Sequence, residues 1–432
     1  MTDSLLVVLD DTVAGTLERL GGGKLRFDYR DEYRERPDAT PLSLSMPTQV
    51  RSHPHGVITP WLWGLLPDNE AVLTRWARQF HVSSASPFSL LATQIGEDCA
   101  GAVRIVPPDQ IDRILARPGH IEWLTDDDVA QRLRDLREDS TSWLGRSFTG
   151  QFSLAGAQAK TALLFRDGRW GQPSGATPTT HILKPAVTGL DDHDLNEHLC
   201  LDAARRAGLV AVRTRVTRFG DESAVVVDRY DRRELKGESE IVRVHQEDLC
   251  QALGVSPALK YQNEGGPGPA DIARLLSRAM PSRVADDAVR RFADALIWNW
   301  IIAGTDAHAK NYSVLLANDQ VRLAPLYDIA SALPDDTHEE KLRFAMKIGG
   351  DYRVFPYRNT WPAAARDLGL DPDDLVDRVR ELATGAPEAF AEASKQPDIE
   401  ELGRPLASRL VDLVADRADR CLRLIGSSGD SA

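Results

Sequence analysis

The chain has 432 residues, 52 Lys and Arg against 65 Asp and Glu for a formal charge of −13, and four Cys. Those figures exclude a disulfide scaffold and a basic nucleic-acid arm, and the 42% hydrophobic, 27% charged composition is that of a globular protein of two or three domains. The acidic balance also disfavours unaided binding to DNA, because nonspecific affinity comes from Lys and Arg neutralising phosphates.

The first residues, MTDSLLVVLDD, set Asp3 before a short apolar run without a basic flank, so neither a secretory nor a transit signal is expected and the cytoplasm is the predicted location. Strand-type runs LLVVL, VAGTLERL and KLRFDY, with Gly21, Gly22 and Gly23 between the last two, predict a small antiparallel unit. Short helical patterns follow through LLPDNEAVLTRWARQF, and GAVRIV ends at Pro107 and Pro108, a first boundary. From Phe152 to Val244 strand signals dominate (TALLF, HILK, AVVVDRY, EIVRV), broken by one amphipathic helix with Leu195, Leu199 and Ala203 at helical spacing. After Gln246 the pattern turns mainly helical. Its best helix carries Val289, Phe292, Leu296, Ile297, Trp300 and Ile301 on one face, and two more are expected near Pro372 to Ala383 and Pro405 to Ile425.

No apolar stretch approaches the roughly 20 residues of a membrane span. The pattern predicts an α+β chain of two lobes with a cleft between: a β-rich N-terminal lobe preceded by a small β subdomain, then a helical C-terminal lobe. The parts are 1–108, 109–245 and 246–432. The GGPGP run at 265–269 and the GSSGDSA tail are the loose segments. Cys99, Cys200, Cys250 and Cys421 are widely spaced, as reduced core thiols would be.

Chemistry concentrates after the best helix. In TDAHAKN, Asp306 and Asn311 lie five apart, and Tyr327 and Asp328 end the stretch NYSVLLANDQVRLAPLYD that follows. Phosphoryl transfer needs a carboxylate to accept the attacking hydroxyl's proton, hard oxygen ligands for Mg²⁺ and a Lys on the phosphates. Asp306, Asn311 with Asp328, and Lys184 fit those needs. Lys310 beside the base reads either as a cation for the developing phosphoryl charge or as a solvated Lys, and His308 as a proton shuttle, a metal ligand or a structural hydrogen-bonder. Upstream, FSLAGAQAKTALL places a small-residue turn before a strand, where backbone N–H groups can approach phosphates or simply turn the chain. Glu197 on the following helix is a candidate partner for Lys184 or part of a solvated face. VVVDRYDRR is a strand end whose backbone could meet an adenine edge.

Together these motifs resemble the HipA family of bacterial serine/threonine kinases, the toxin half of HipBA modules. The resemblance runs through PLSLSMP, LLPDN, SLAGAQAKTALL, TPTTHILK, VDRYDRR, HQEDLCQALG, KYQNEGGPG, TDAHAKN and LYDI. It implies a two-lobed protein-kinase-like fold, ATP and Mg²⁺ as cofactors, and a phosphate loop of Ala155, Gly156, Ala157, Gln158, Ala159 and Lys160. It makes Lys184 an ATP contact, Asp228, Arg229 and Tyr230 the adenine hinge, and Gln246 a cleft residue. Asp306 becomes the catalytic base assisted by Lys310, with His308, Asn311 and Tyr327 at the nucleotide and Asn311 and Asp328 on the metal. Ser153 becomes a site of inhibitory autophosphorylation, against the plainer reading of a turn or capping hydroxyl. The implied partners are a HipB-like helix-turn-helix antitoxin, operator DNA through that antitoxin only, and an aminoacyl-tRNA synthetase substrate, glutamyl-tRNA synthetase by default. Ala307, Ala159 and Tyr230 depart from the family's usual residues without removing a catalytic group. An aminoglycoside-kinase-type phosphotransferase and a non-catalytic corepressor are the competing functions; the N-terminal PLSLSMP and LLPDN segments weigh against the first, the intact Lys184, Asp306, Asn311 and Asp328 against the second.

Overall fold

The computed structural model describes residues 3–116, 119–145, 152–186, 192–234, 241–335, 338–354 and 359–426; the expected GSSGDSA tail lies outside them apart from its first glycine. Contacts divide the chain into two compact units, one of residues 1–188, 217–258 and 313–321, the other of 189–216, 259–312 and 322–432.

The first unit opens with the expected antiparallel sheet, in the order Ser52–Pro54, Leu25–Tyr29, Thr12–Arg19, Ser4–Leu9 and Arg104–Val106. Alternate side chains such as Leu5, Val7, Leu17 and Phe27 are buried on one face, where they join Trp61, Trp76 and Trp143 in one core. Asn69 of LLPDN caps the helix Glu70–Gln79 by accepting from the Ala71 and Val72 amides. A second sheet runs in the order Thr214–Phe219, Glu222–Asp228, His181–Pro185, Thr161–Arg166, Arg169–Ser174 and His120–Leu124. Val129, Ala130 and Leu133 of the helix Asp126–Glu138 pack on its Leu163, Leu183 and Val226.

In the second unit the helix Ser282–Ile301 forms where the periodicity predicts, with Phe292, Leu296, Ile297 and Trp300 buried. The region after Gln246 is mainly helical, as expected, and also contributes the strands Ser313–Ala317, Gln320–Leu323, Arg343–Ile348 and Asp351–Arg353. Two expectations need correction. The helix expected to end near Ala383 runs from Pro372 to Ser394, through Pro387. A proline there costs one backbone hydrogen bond, but Ala383, Ala386 and Phe390 stay buried across it, and Phe390 stacks on Trp298 with ring centroids 5.8 Å apart. The helix His193–Arg206 is not amphipathic: every residue from Asp194 to Ala204 is buried. All four cysteines are free and buried. No described helix is long and apolar enough to cross a membrane.

Candidate active site

The loop after the long helix is shaped by hydrogen bonds to its own backbone. The Asn311 Nδ2 donates to the Asp306 carbonyl at 2.8 Å, and the Asn311 and His308 amides donate to the His308 and Asp306 carbonyls at 2.9 and 2.8 Å. With its nitrogen spent on the loop, the Asn311 side chain keeps its oxygen as a hard donor. Tyr327 closes the loop from the far end of the 311–328 stretch, its hydroxyl donating to the Lys310 carbonyl at 2.7 Å. Asp328 follows with φ of 57°, a left-handed conformation uncommon outside glycine.

Exposure separates the loop's side chains. Asp306 is exposed, whereas His308, Lys310 and Asn311 are buried, which sets aside the solvated reading of Lys310. Tyr261, which sequence reasoning did not single out, donates its hydroxyl to Asp306 Oδ1 at 2.8 Å. The available signal was its place in the KYQNEGGPG motif.

In the first unit, Lys184 sits on the strand His181–Pro185 and is buried, paired in register with Val225. Glu197, in the second unit, is 1% exposed, so the solvated-face reading fails for it as well. Residues Ala155 to Lys160 form a turn before the strand Thr161–Arg166, with Gly156 at φ of 102°. That φ is one L side chains rarely adopt, and a Cβ at Gly156 would lie 2.6 Å from the Lys160 Nζ and displace it. Lys160 donates to the Ala155 carbonyl at 2.7 Å and lies 5.1 Å from the centre of the Trp143 ring. The LLPDN turn braces the loop: the Asp68 amide donates to the Gly156 carbonyl at 3.1 Å, and the buried Ser153 hydroxyl donates to the Leu65 carbonyl at 2.6 Å. That long-range bond replaces the local turn or cap expected as the plain role of Ser153.

At the strand end, the Tyr230 hydroxyl donates to Gln246 Oε1. The Arg229 side chain belongs elsewhere. It is buried with Arg232 and Arg243 around Asp98 and Asp231, donating to Asp231 at 2.8 Å and to the Cys99 carbonyl at 3.0 Å, while its amide donates to the Thr180 carbonyl. Burial would raise the Asp98 carboxyl, but Arg232, Arg229 and Arg243 together hold it well below the usual carboxylate range.

Comparisons with known proteins agree with this architecture. Residues 5–106 match the HipA N-terminal domain model and residues 152–390 the HipA-like C-terminal domain model. The chain is 32% identical to the putative kinase Y4mE of Sinorhizobium fredii over 95% of this chain and 96% of that protein. It is 28% identical to the serine/threonine-protein kinase toxin HipA of Shewanella oneidensis over 94% of each. The solved complex of Shewanella oneidensis HipA with HipB and operator DNA contains a chain of the same fold, with TM-score 0.83, 24% identity, and coverage of 99% of this chain and 100% of that one. With both domain models matched in order and a relative alike over nearly its whole length, the chain belongs to the HipA family of kinases.

Proposed function

We propose that this HipA family member is an ATP-dependent serine/threonine protein kinase and the toxin of a toxin–antitoxin pair. It transfers the γ-phosphoryl group of ATP to a serine of an aminoacyl-tRNA synthetase, glutamyl-tRNA synthetase first among them, and so halts translation in the cytoplasm and favours dormancy. The observation that carries the reading is the 306–311 loop, where an exposed carboxylate lies next to a buried Lys and an Asn whose amide oxygen is left available. In this reading Asp306 takes the proton of the acceptor hydroxyl and Lys310 offsets charge on the transferred group. Asn311 and Asp328 suit Mg²⁺, which prefers hard oxygen ligands and keeps the remaining positions for phosphate and water. The metal's contribution when bound is to neutralise charge on the β- and γ-phosphates.

In the first unit, Lys184 and the Ala155 to Lys160 turn are assigned to the phosphates, and the Asp228 and Tyr230 backbone with Gln246 to the base. His308 and Tyr327 shape the nucleotide side of the second unit. The parts 1–108, 109–245 and 246–432 are proposed as its modules. The solved Shewanella oneidensis HipA structure is a complex with HipB and operator DNA, and a helix-turn-helix antitoxin of that kind suits a chain of charge −13, which needs a partner to supply base readout and positive surface on DNA.

Ser153 is the proposed autophosphorylation site. Its hydroxyl is 0% exposed and bonded to Leu65, so modification requires the segment to leave its seat. A phosphate of roughly −1.5 to −2 charge cannot return to a buried carbonyl, and the loop stays displaced. The test of the reading incubates the protein with radiolabelled ATP and a panel of purified aminoacyl-tRNA synthetases, and maps phosphopeptides of enzyme and substrate by mass spectrometry. Labelling of one synthetase at a serine is expected. ATP turnover with every synthetase unlabelled contradicts the substrate assignment, and Ser153 unmodified in active enzyme contradicts the regulatory one.

A further inference from the structure

The motif KYQNEGGPG at 260–268 takes no part in the nucleotide chemistry proposed above, yet it is built against the catalytic loop. One edge of the strand Arg343–Ile348 aligns the two: the Ala345 amide donates to the Thr305 carbonyl at 2.9 Å, and the Lys347 amide to Gln262 Oε1 at 2.6 Å. Amides two residues apart point from the same edge of a strand, so both anchors lie in line. Gly266 lets the turn close, since a Cβ there would meet the Leu259 carbonyl oxygen at 2.0 Å. The outcome is Tyr261 hydrogen-bonded to Asp306 and edge-on to His308, with ring centroids 5.1 Å apart.

Beside this contact, wholly within the second unit, lies an open groove of about 830 Å³ with Tyr261, Glu264, Asp306, Arg343, Phe344 and Tyr352 in its lining. That volume is far more than one serine side chain fills. Carboxylates at Glu264 and Asp306 make the groove a poor seat for a triphosphate, because like charges repel. Asp351 and Arg353, also in the wall, neutralise each other through an ion pair at 2.6 Å. Besides Asp306, two charges are left over. Among the described residues Glu264 has no ion-pair partner, and the Arg343 guanidinium donates to the Glu340 and Leu342 carbonyls at 2.7 and 2.8 Å, which leaves its charge unmatched. The half-buried Tyr261 and Tyr352 rings, with Phe344 buried in the wall, supply contact area that suits a peptide chain and asks for no particular sequence.

We infer that this groove is the acceptor site: it takes an extended polypeptide segment whose serine enters beside Tyr261, with a basic residue of the segment near Glu264 and an acidic one near Arg343. The inference rests on the reading of Asp306 as the base. The acceptor oxygen gives its proton to Asp306 as it bonds to the γ-phosphorus, and the bond from that phosphorus to the β,γ-bridging oxygen breaks, so that ADP leaves with the electron pair.

The test uses the full chain, radiolabelled ATP and an array of serine-centred peptides carrying Lys or Glu at each flanking position in turn, with melting temperature as the control for folding. Wild-type protein should favour Lys over Glu at one position and Glu over Lys at another. Glu264→Arg should lower the Lys-to-Glu labelling ratio about threefold to tenfold at the first position alone, and Arg343→Glu should raise it at the second. Identical flanking preferences in wild type and both variants overturn the assignment. So does a wild-type chain that hydrolyses ATP but labels no peptide. A chain that does neither overturns the kinase reading itself, and the inference with it.

Discussion

In the first unit Asp98 and Asp231 lie buried among Arg229, Arg232 and Arg243, whereas in the second unit Asp306 stands exposed on a loop fixed by backbone hydrogen bonds. The first arrangement joins distant parts of the chain, 131 residues apart at Arg229 and Asp98, and spends every charge on another side chain or a carbonyl. Among the described residues the second holds its carboxylate with a single hydroxyl and leaves it open to solvent. Charge buried for architecture and charge proposed for chemistry therefore differ in what surrounds them more than in residue type, and substitutions should separate the two.

The largest expected effect is on catalysis. Asp306→Ala should lower phosphoryl transfer about 10²- to 10⁴-fold, measured by radiolabel incorporation, while the melting temperature stays at the wild-type value because an exposed side chain on a loop carries little packing. Asp98→Ala should do the reverse. Removing one member of a buried ionic cluster strands its guanidinium partners, and a loss of about 3 to 5 kcal/mol is expected in urea unfolding. Destabilisation of less than about 1 kcal/mol would show that the cluster is solvated and break the comparison.

A pH prediction sharpens the same contrast. Burial holds the His245 imidazole down to about 4, against its hydrogen bond to the Leu42 carbonyl, and pushes the Glu247 carboxyl up to about 8. Unfolded, the two groups titrate near 6.5 and 4.5. As the pH falls from 6.5 toward 4, the unfolded His takes a proton that the native one refuses, and stability drops. As it rises from 4.5 toward 8, the unfolded Glu releases a proton that the native one keeps, and stability drops in that direction too. The two oppose each other between 4.5 and 6.5, and above 6.5 Glu247 acts alone of the pair. Glu247→Gln, which keeps the oxygen accepting from the Leu44 amide, should abolish a loss on the order of 2 kcal/mol between pH 6.5 and 8. An alkaline limb unchanged in the variant would contradict the buried, neutral carboxyl.

The smallest effect is expected at Tyr327→Phe, which removes one hydrogen bond to the Lys310 carbonyl and should loosen the 306–311 loop by about 1 kcal/mol. Hydrogen exchange at the 308–311 amides is the readout, and unchanged protection there would remove Tyr327 from the loop's supports.

The strands and the long helix were legible because period-two and period-3.6 patterns are local properties of the chain. The 306–311 loop stood out as a candidate because its Asp, Lys and Asn suit the phosphoryl transfer proposed here. Less visible was the helix Asp126–Glu138, whose apolar residues are few; its signal was the capping box in which Thr125 and Asp128 bond reciprocally. Glu197 and Lys310 read from the sequence as plausible surface charges because burial of a polar residue depends on neighbours far along the chain. The same holds for Arg229, which looks like a strand-end residue until Asp98 and Asp231 are placed around it, and for Ser153, whose partner lies 88 residues away.

The central claim, that Asp306 serves as the base while Asn311 and Asp328 hold the metal, is tested most directly by calorimetric titration of ATP, with and without Mg²⁺, into wild type, Asp306→Ala and Asp328→Asn. The account predicts near wild-type affinity for Mg²⁺·ATP in Asp306→Ala, and in Asp328→Asn a marked loss confined to the Mg²⁺-containing titration. Equal losses in both variants, or a loss in Asp328→Asn that persists without Mg²⁺, would contradict it.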